Sequence, residues 1–201
     1  MLRPATAREG TWGSGADSAS SCNDSSASTA GMRRVELLSP AADLRTGILA
    51  IDAGADAVYI GPPRFGARAK AANSIRDIEA LAQHAHFFGA RVYATLNTLL
   101  KDEELLEAQR LAWQLYSAGV DALIVQDMAL LQMDLPPLPL HASTQTDNRS
   151  LAKVQFLEGV GFSRVVLARE LTLEQIGEIG RGCSVELEVF VHGALCVCYS
   201  G

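Results

Sequence analysis

From Val35 onward one device recurs along the chain: a helix-period stretch ends at a glycine, and four or five β-prone residues follow at once. It reads Ala53-Gly54-Ala55-Asp56-Ala57-Val58-Tyr59-Ile60, then Phe88-Gly89-Ala90-Arg91-Val92-Tyr93-Ala94. It returns as Ala118-Gly119-Val120-Asp121-Ala122-Leu123-Ile124-Val125 and as Val160-Gly161-Phe162-Ser163-Arg164-Val165-Val166-Leu167. Each glycine falls where a helix C-terminus calls for positive φ. Between the last two repeats, residues 138–142 read as a further strand among Pro136, Pro137 and Pro139, in a gap long enough for two βα units. Residues 35–38 and 185–191 bring the strands to seven. They are short, largely apolar on both faces, and separated by amphipathic stretches such as 102–117 and 172–180, the pattern of a parallel sheet with helical crossovers.

Alternation alone fits an open doubly wound sheet as well as a closed barrel. No G-x-G-x-x-G turn follows any strand, and polar residues sit at every strand's carboxyl end instead of gathering at one switch point, which favours a TIM-like (β/α) barrel. These ends carry Ser39, Gly61, Asn97 with Thr98, Gln126 with Asp127, Ser143 with Thr144 and Gln145, Arg169 with Glu170, and His192. A full barrel has eight strands, so the expected fold is an incomplete α/β barrel lacking its closing unit.

Residues 1–31 differ from the rest, with seven Ser, six Ala, four Gly and few bulky apolar side chains. Such a stretch cannot bury enough surface to offset its ordering entropy. It reads as a disordered leader, with Met32 an alternative start, ahead of a barrel domain over 32–201. A composition 48% hydrophobic and 20% charged suits a globular chain, and no apolar run reaches membrane-spanning length. With 17 basic against 23 acidic residues the net charge is -6, which leaves no broad phosphate-binding surface here. Four uneven cysteines fit reduced thiols and a cytoplasmic location better than a disulfide scaffold.

Cys196 and Cys198 follow the last strand and could be metal ligands, nucleophiles or small buried residues under a loop. His141 could orient a substrate or donate a proton, or bond to barrel backbone, and His192 joins it only if strand parity turns it inward. Arg169 with Glu170 could clamp a carboxylate or form a rim ion pair. Arg64, Arg68 and Lys70 make a small basic loop. His84 and His86 lie about 200° apart around a helix and cannot share a metal. The run Asp102-Glu103-Glu104 complements a helix macrodipole.

The stretch Glu188-Val189-Phe190-Val191-His192-Gly193-Ala194-Leu195-Cys196-Val197-Cys198-Tyr199-Ser200-Gly201 resembles the first part of the signature of the U-thirty-two peptidase family, the collagenase-like proteases. Further landmarks occur in order: Glu36-Leu37-Leu38-Ser39-Pro40-Ala41, Phe65-Gly66-Ala67-Arg68-Ala69, Tyr93-Ala94-Thr95-Leu96-Asn97-Thr98, Gln126-Asp127, His141-Ala142-Ser143-Thr144-Gln145 and Leu167-Ala168-Arg169-Glu170-Leu171. The resemblance implies an N-terminal barrel fragment of a longer enzyme. Several members act as oxygen-independent hydroxylases of tRNA or rRNA bases or of the ubiquinone ring, with a four-iron four-sulfur cluster and prephenate as oxygen donor; some work as heterodimers. Peptidase activity is the alternative, although the sequence has no H-E-x-x-H or G-x-S-x-G motif.

Carried over by position, Cys196 matches the first cluster ligand, the other three fall beyond Gly201, and Cys198 neighbours the site. The implied catalytic group is His141, Thr144, Gln145, Arg169, Glu170 and His192. The implied substrate-binding group is Glu36, Asn97, Gln126, Asp127 and Ser143. One thiolate cannot hold a cluster, so this chain alone is expected to be apo and inactive. An RNA substrate would find its basic surface in regions outside this chain; a small aromatic substrate would not need one.

Overall fold

The computed structural model describes residues 35–67 and 73–193. The leader, Arg68, Lys70, Cys22, Cys196 and Cys198 lie outside the described residues. The elements alternate: β1 (Leu38–Ala41), α1 (Leu44–Asp52), β2 (Ala57–Ile60), α2 (Ile75–Phe87), β3 (Arg91–Leu96), α3 (Leu105–Ser117), β4 (Ala122–Val125), β5 (Leu140–Ala142), α4 (Leu151–Gly159), β6 (Arg164–Val166), α5 (Leu173–Gly182) and β7 (Glu186–Glu188). All seven strands run parallel in one sheet, in chain order from β1 to β7. Sequential order without reversal is the barrel solution; a doubly wound sheet reverses its order at a switch point.

Local chemistry starts four of the described helices. Asp43 and Thr46 form a capping box on α1, as do Ser74 with Asp77 on α2 and Thr172 with Gln175 on α5, and the Ser150 hydroxyl caps α4. Each satisfies amide donors that the first turn cannot pair internally. At the other end of α3, Gly119 takes φ +86, and Gly54, Gly89 and Gly161 end their helices at positive φ as well. The repeated glycine is therefore the hinge at which α1 to α4 turn toward the next strand, whereas α5 ends on Cys183 in extended backbone.

Strand side chains then divide by parity. Val58, Ile60, Val92, Ala94, Leu96, Leu123, Val125 and Val165 face outward and are buried under Ile78, Leu81, Leu111, Leu115 and Leu157 of the helices. Each such leucine removed from water contributes about 2 kcal/mol. The opposite parity places Leu38, Ala57, Tyr59, Tyr93, Ala122 and Ile124 together inside the curled sheet. Small Ala57 and Ala122 leave room for the two tyrosines.

Two expected boundaries move. β1 begins at Leu38, three residues beyond the expected start, because the Leu37 amide donates to the Asp56 carboxylate and is lost to the ladder. Among the described residues β1 pairs on one side only, which tolerates Pro40. β7 is confined to Glu186–Glu188 and there too has a single neighbour among the described residues. The gap between β4 and β6 holds the expected further strand, β5, with α4 after it, but the crossover from β4 to β5 is a 3-10 turn, Met128–Gln132, and a proline-interrupted segment in place of a regular helix.

Gly89 has φ +72 and open space where a side chain would sit, so Gly89→Ala tests backbone strain alone. Urea unfolding is expected to show a loss of about 1 kcal/mol, and a smaller loss for Gly89→Asn.

Candidate functional site

Inside the barrel the strands present a polar network centred on Arg164, the first residue of β6. Its side chain is only 9% exposed. Nη1 donates to Glu36 Oε1 at 2.6 Å, while Nε and Nη2 donate to Glu186 Oε2 at 3.1 and 2.8 Å. The guanidinium carbon lies 5.3 Å from the Tyr93 ring centre, and Glu188 Oε2 is 3.7 Å from Nη1. Tyr93 in turn donates its hydroxyl to Glu36 at 3.0 Å, and Arg91 approaches the same carboxylate at 3.5 Å. A desolvated guanidinium needs such partners, because an unpaired buried charge is very costly.

The network separates its acids. Burial alone would raise Glu36, but the hydrogen bond and charge of Arg164 hold it below the ordinary carboxylate range. Glu188 is pushed up to about 7 by burial, against the weaker pull of Arg164. Burial also pushes Tyr93 up to about 12. His141, packed edge-on against Tyr93 at 4.8 Å, is pushed down to about 3 by burial and then by the charge of Arg164, so its imidazole is neutral.

At the carboxyl ends of the strands each loop is fastened to its neighbour. Asn97 accepts the Ala67 amide at 3.0 Å from the loop after β2 and donates to Ser143 Oγ at 3.3 Å after β5. Asp127 accepts the Leu100 amide at 2.8 Å, and Gln126 donates to the Gln145 carbonyl at 3.2 Å. Asn148, fully buried, donates to the carbonyls of Ser143 and Val166, both at 2.8 Å. Thr144 and Gln145 are half-buried in a 3-10 turn, Thr144–Thr146, that Ser143 caps. The Arg169 guanidinium stacks 3.9 Å from the Phe190 ring centre and borders Gly193, while His192 is exposed.

The expected site residues thus fall into two groups. Asn97, Gln126, Asp127, Ser143, Thr144, Gln145, Arg169, Glu170 and His192 lie at the carboxyl mouth. Glu36 precedes β1 and belongs with Arg164 at the amino end; His141 stands in the interior between Tyr93 and Arg164. Sequence reasoning missed Arg164, Tyr93, Glu188 and Asn148. The first three share inward parity, a usable signal; Asn148 carries none.

Among the described residues no group of three or more His, Cys, Asp and Glu could hold a metal ion. Cys183 closes α5 at the amino end, with burial and Glu158 raising its thiol, which makes it a poor ligand. His84 and His86 instead meet Asp52 at 2.8 Å and Asp121 at 3.0 Å. No described helix is long and apolar enough to cross a membrane.

Strands in chain order, helices outside and a polar interior define a protein of the incomplete TIM-like (β/α) barrel class. The chain belongs to Peptidase family U32, whose family model matches residues 42–201. It is 56% identical over 173 residues to the 23S rRNA 5-hydroxycytidine C2501 synthase of Escherichia coli (strain K12), covering 86% of this chain and 26% of that protein. It is 37% identical to tRNA hydroxylation protein P of the same organism, covering 85% of this chain and 39% of the relative. An uncharacterized protease of Methanocaldococcus jannaschii is 42% identical, over 85% of this chain and 43% of the relative. The chain therefore spans a quarter to under half of these relatives. Among solved structures, the U32 peptidase Mk0906 superposes with a TM-score of 0.65 at 17% identity, over 78% of this chain and 68% of that one, a likeness of fold.

Arg164→Ala is expected to lower unfolding free energy by about 3–5 kcal/mol, measured in urea, because the Glu36 and Glu186 carboxylates lose their shared partner. Glu188 has a second, pH-dependent signature. With a folded value of about 7 against an ordinary 4.5, the folded state keeps a proton the unfolded chain releases, so its contribution is lost as pH rises through that window. His141, at about 3 against 6.5, acts oppositely, its contribution being lost as pH falls. Glu188→Gln removes only the first, so its stability relative to wild type is expected to climb by roughly 2 kcal/mol from pH 4.5 to 7. A constant difference across that range would refute the protonated state of Glu188.

Proposed function

We propose that the protein carrying this chain hydroxylates a base in RNA, with ribosomal RNA the first candidate. The observation that carries this reading is the 56% identity to the rRNA 5-hydroxycytidine synthase over nearly all of the barrel, supported by tRNA hydroxylation proteins among the other relatives. A polar mouth held by loop-to-loop bonds suits a reaction that needs fixed geometry. Arg169, stacked on Phe190, offers a guanidinium at that mouth for a carboxylated oxygen donor such as prephenate.

An iron-sulfur cluster would supply the redox chemistry. The described residues contain no set able to hold it, so Cys196 is the residue we assign to it, with its other ligands from the rest of the protein. RNA contacts likewise belong to regions beyond this chain, whose net charge is -6.

The peptidase reading has less support. His84 and His86 are tied to aspartates on the helical surface, His141 is neutral and packed against Tyr93, and His192 is exposed. None of these forms a nucleophile and base pair among the described residues.

Deleting the gene in its own organism and digesting ribosomal and transfer RNA for nucleoside mass spectrometry tests the proposal. One modified base is expected to become lighter by one oxygen atom, and to recover with the wild-type gene but not with Cys196→Ala. An unchanged nucleoside profile in both RNA pools would overturn it.

A further inference from the structure

The amino end of the barrel contains a cavity of about 440 Å³ that the proposed reaction at the carboxyl mouth leaves unused. Its lining comes from the starts of β3 to β7 and the turns before them, and β1 contributes none of it. The volume lies within the range of about 300–1,000 Å³ usual for small-molecule sites.

Its hydrogen-bonding inventory is one-sided. Most buried donors are engaged: Arg164 uses Nε and both terminal nitrogens on Glu186 and Glu36, Ser163 donates to the Leu140 carbonyl, and Ser184 donates to Glu158 Oε1, while Arg91 is largely exposed at the rim, 3.5 Å from Glu36. The acceptors are not used up. Bonds to Glu186 fall on Oε2 and bonds to Glu158 on Oε1, leaving one oxygen of each carboxylate. His141, in the cavity wall and only 4% exposed, has no partner for Nδ1. Charge points the same way. Asp121, Glu158 and Glu186 line the cavity against Arg91 and Arg164, and the charge of Arg164 is already offset by Glu36 and Glu186. In the buried part of the cavity an anion would have to displace a carboxylate from Arg164, leaving it only the exposed Arg91 at the rim, whereas a cationic donor meets carboxylate oxygens that no other group bonds. Pro139, Phe162 and Val185 give the same cavity an apolar wall.

We propose that this amino-end cavity binds a small organic ammonium ion, its N–H groups donating to Glu158 and Glu186 and its hydrocarbon part lying against Pro139, Phe162 and Val185. The site is distinct from the carboxyl mouth and does not depend on the reaction performed there.

The test is an amide NMR titration of the full chain with n-butylammonium chloride, with 1-butanol as the uncharged control. One-to-one saturation at a Kd of about 1 mM or tighter is expected, with shifts confined to the cavity and no saturation by 1-butanol. The rim variant Glu158→Gln with Glu186→Gln should weaken binding about tenfold, the factor that 1.4 kcal/mol represents. Ala122→Leu should block the cavity; if it does not fold, the glutamine pair decides alone. Unsaturable shifts scattered over the surface, or unchanged affinity in the glutamine pair, would overturn the proposal. N-acetyl-lysinamide is the second arm: affinity equal to butylammonium would assign the cavity to a lysine side chain of a protein and overturn a free amine as its ligand.

Discussion

A single buried guanidinium joins parts of the chain that the backbone ladder leaves apart. Arg164 stands on β6, yet it bonds to Glu36 ahead of β1 and to Glu186 on β7, 128 and 22 residues away. No ladder pairs β7 with β1 among the described residues, so the curl of the sheet relies on this ion pair inside it as well as on the helices outside. An apolar core would hold such a curl loosely, since hydrophobic contact is non-directional. A planar fork with fixed donor directions holds it in one geometry.

That anchor lies at the amino end, and the loops that carry the polar mouth lie at the other. The division matches the general behaviour of (β/α) barrels, in which the amino face stabilises and the carboxyl face performs chemistry. It also explains the split of the acids. Glu36 is held below the ordinary carboxylate range because Arg164 serves it directly, whereas Glu188, more deeply buried and farther from the same cation, is pushed up to about 7. The mouth needs no such strong field. Its clasps are mostly amides and hydroxyls, with Asp127 held by two backbone amides and Arg169 stacked on Phe190.

Much of this architecture was legible from the sequence because its signals are local. The glycine at each helix end, the apolar strand after it and the capping residue before the next helix all act within a few positions, and the strand count followed from them. Boundaries set by distant partners were not legible: β1 starts late because Asp56 captures an amide, and β7 is short because, among the described residues, β6 alone pairs with it. The site was half legible. Polar residues after each strand marked the mouth, but nothing near Arg164 in the chain indicates that Glu36, 128 residues away, is its partner. Tyr93 and Glu188 were within reach, since both share the inward parity of their strands.

The clasps between loops have a consequence for how such a barrel could change its substrate. Asn97, Asp127 and Gln126 each belong to one loop and bond to another, and Asn148 ties its own loop to the end of β6, so these parts of the mouth depend on one another. A loop grafted from a relative would arrive without the side chain its neighbour requires, and would leave that neighbour's amide or carbonyl bare. New specificity in this scaffold is therefore more accessible to substitutions at the half-buried tips, such as Thr144 and Gln145, than to the exchange of whole loops.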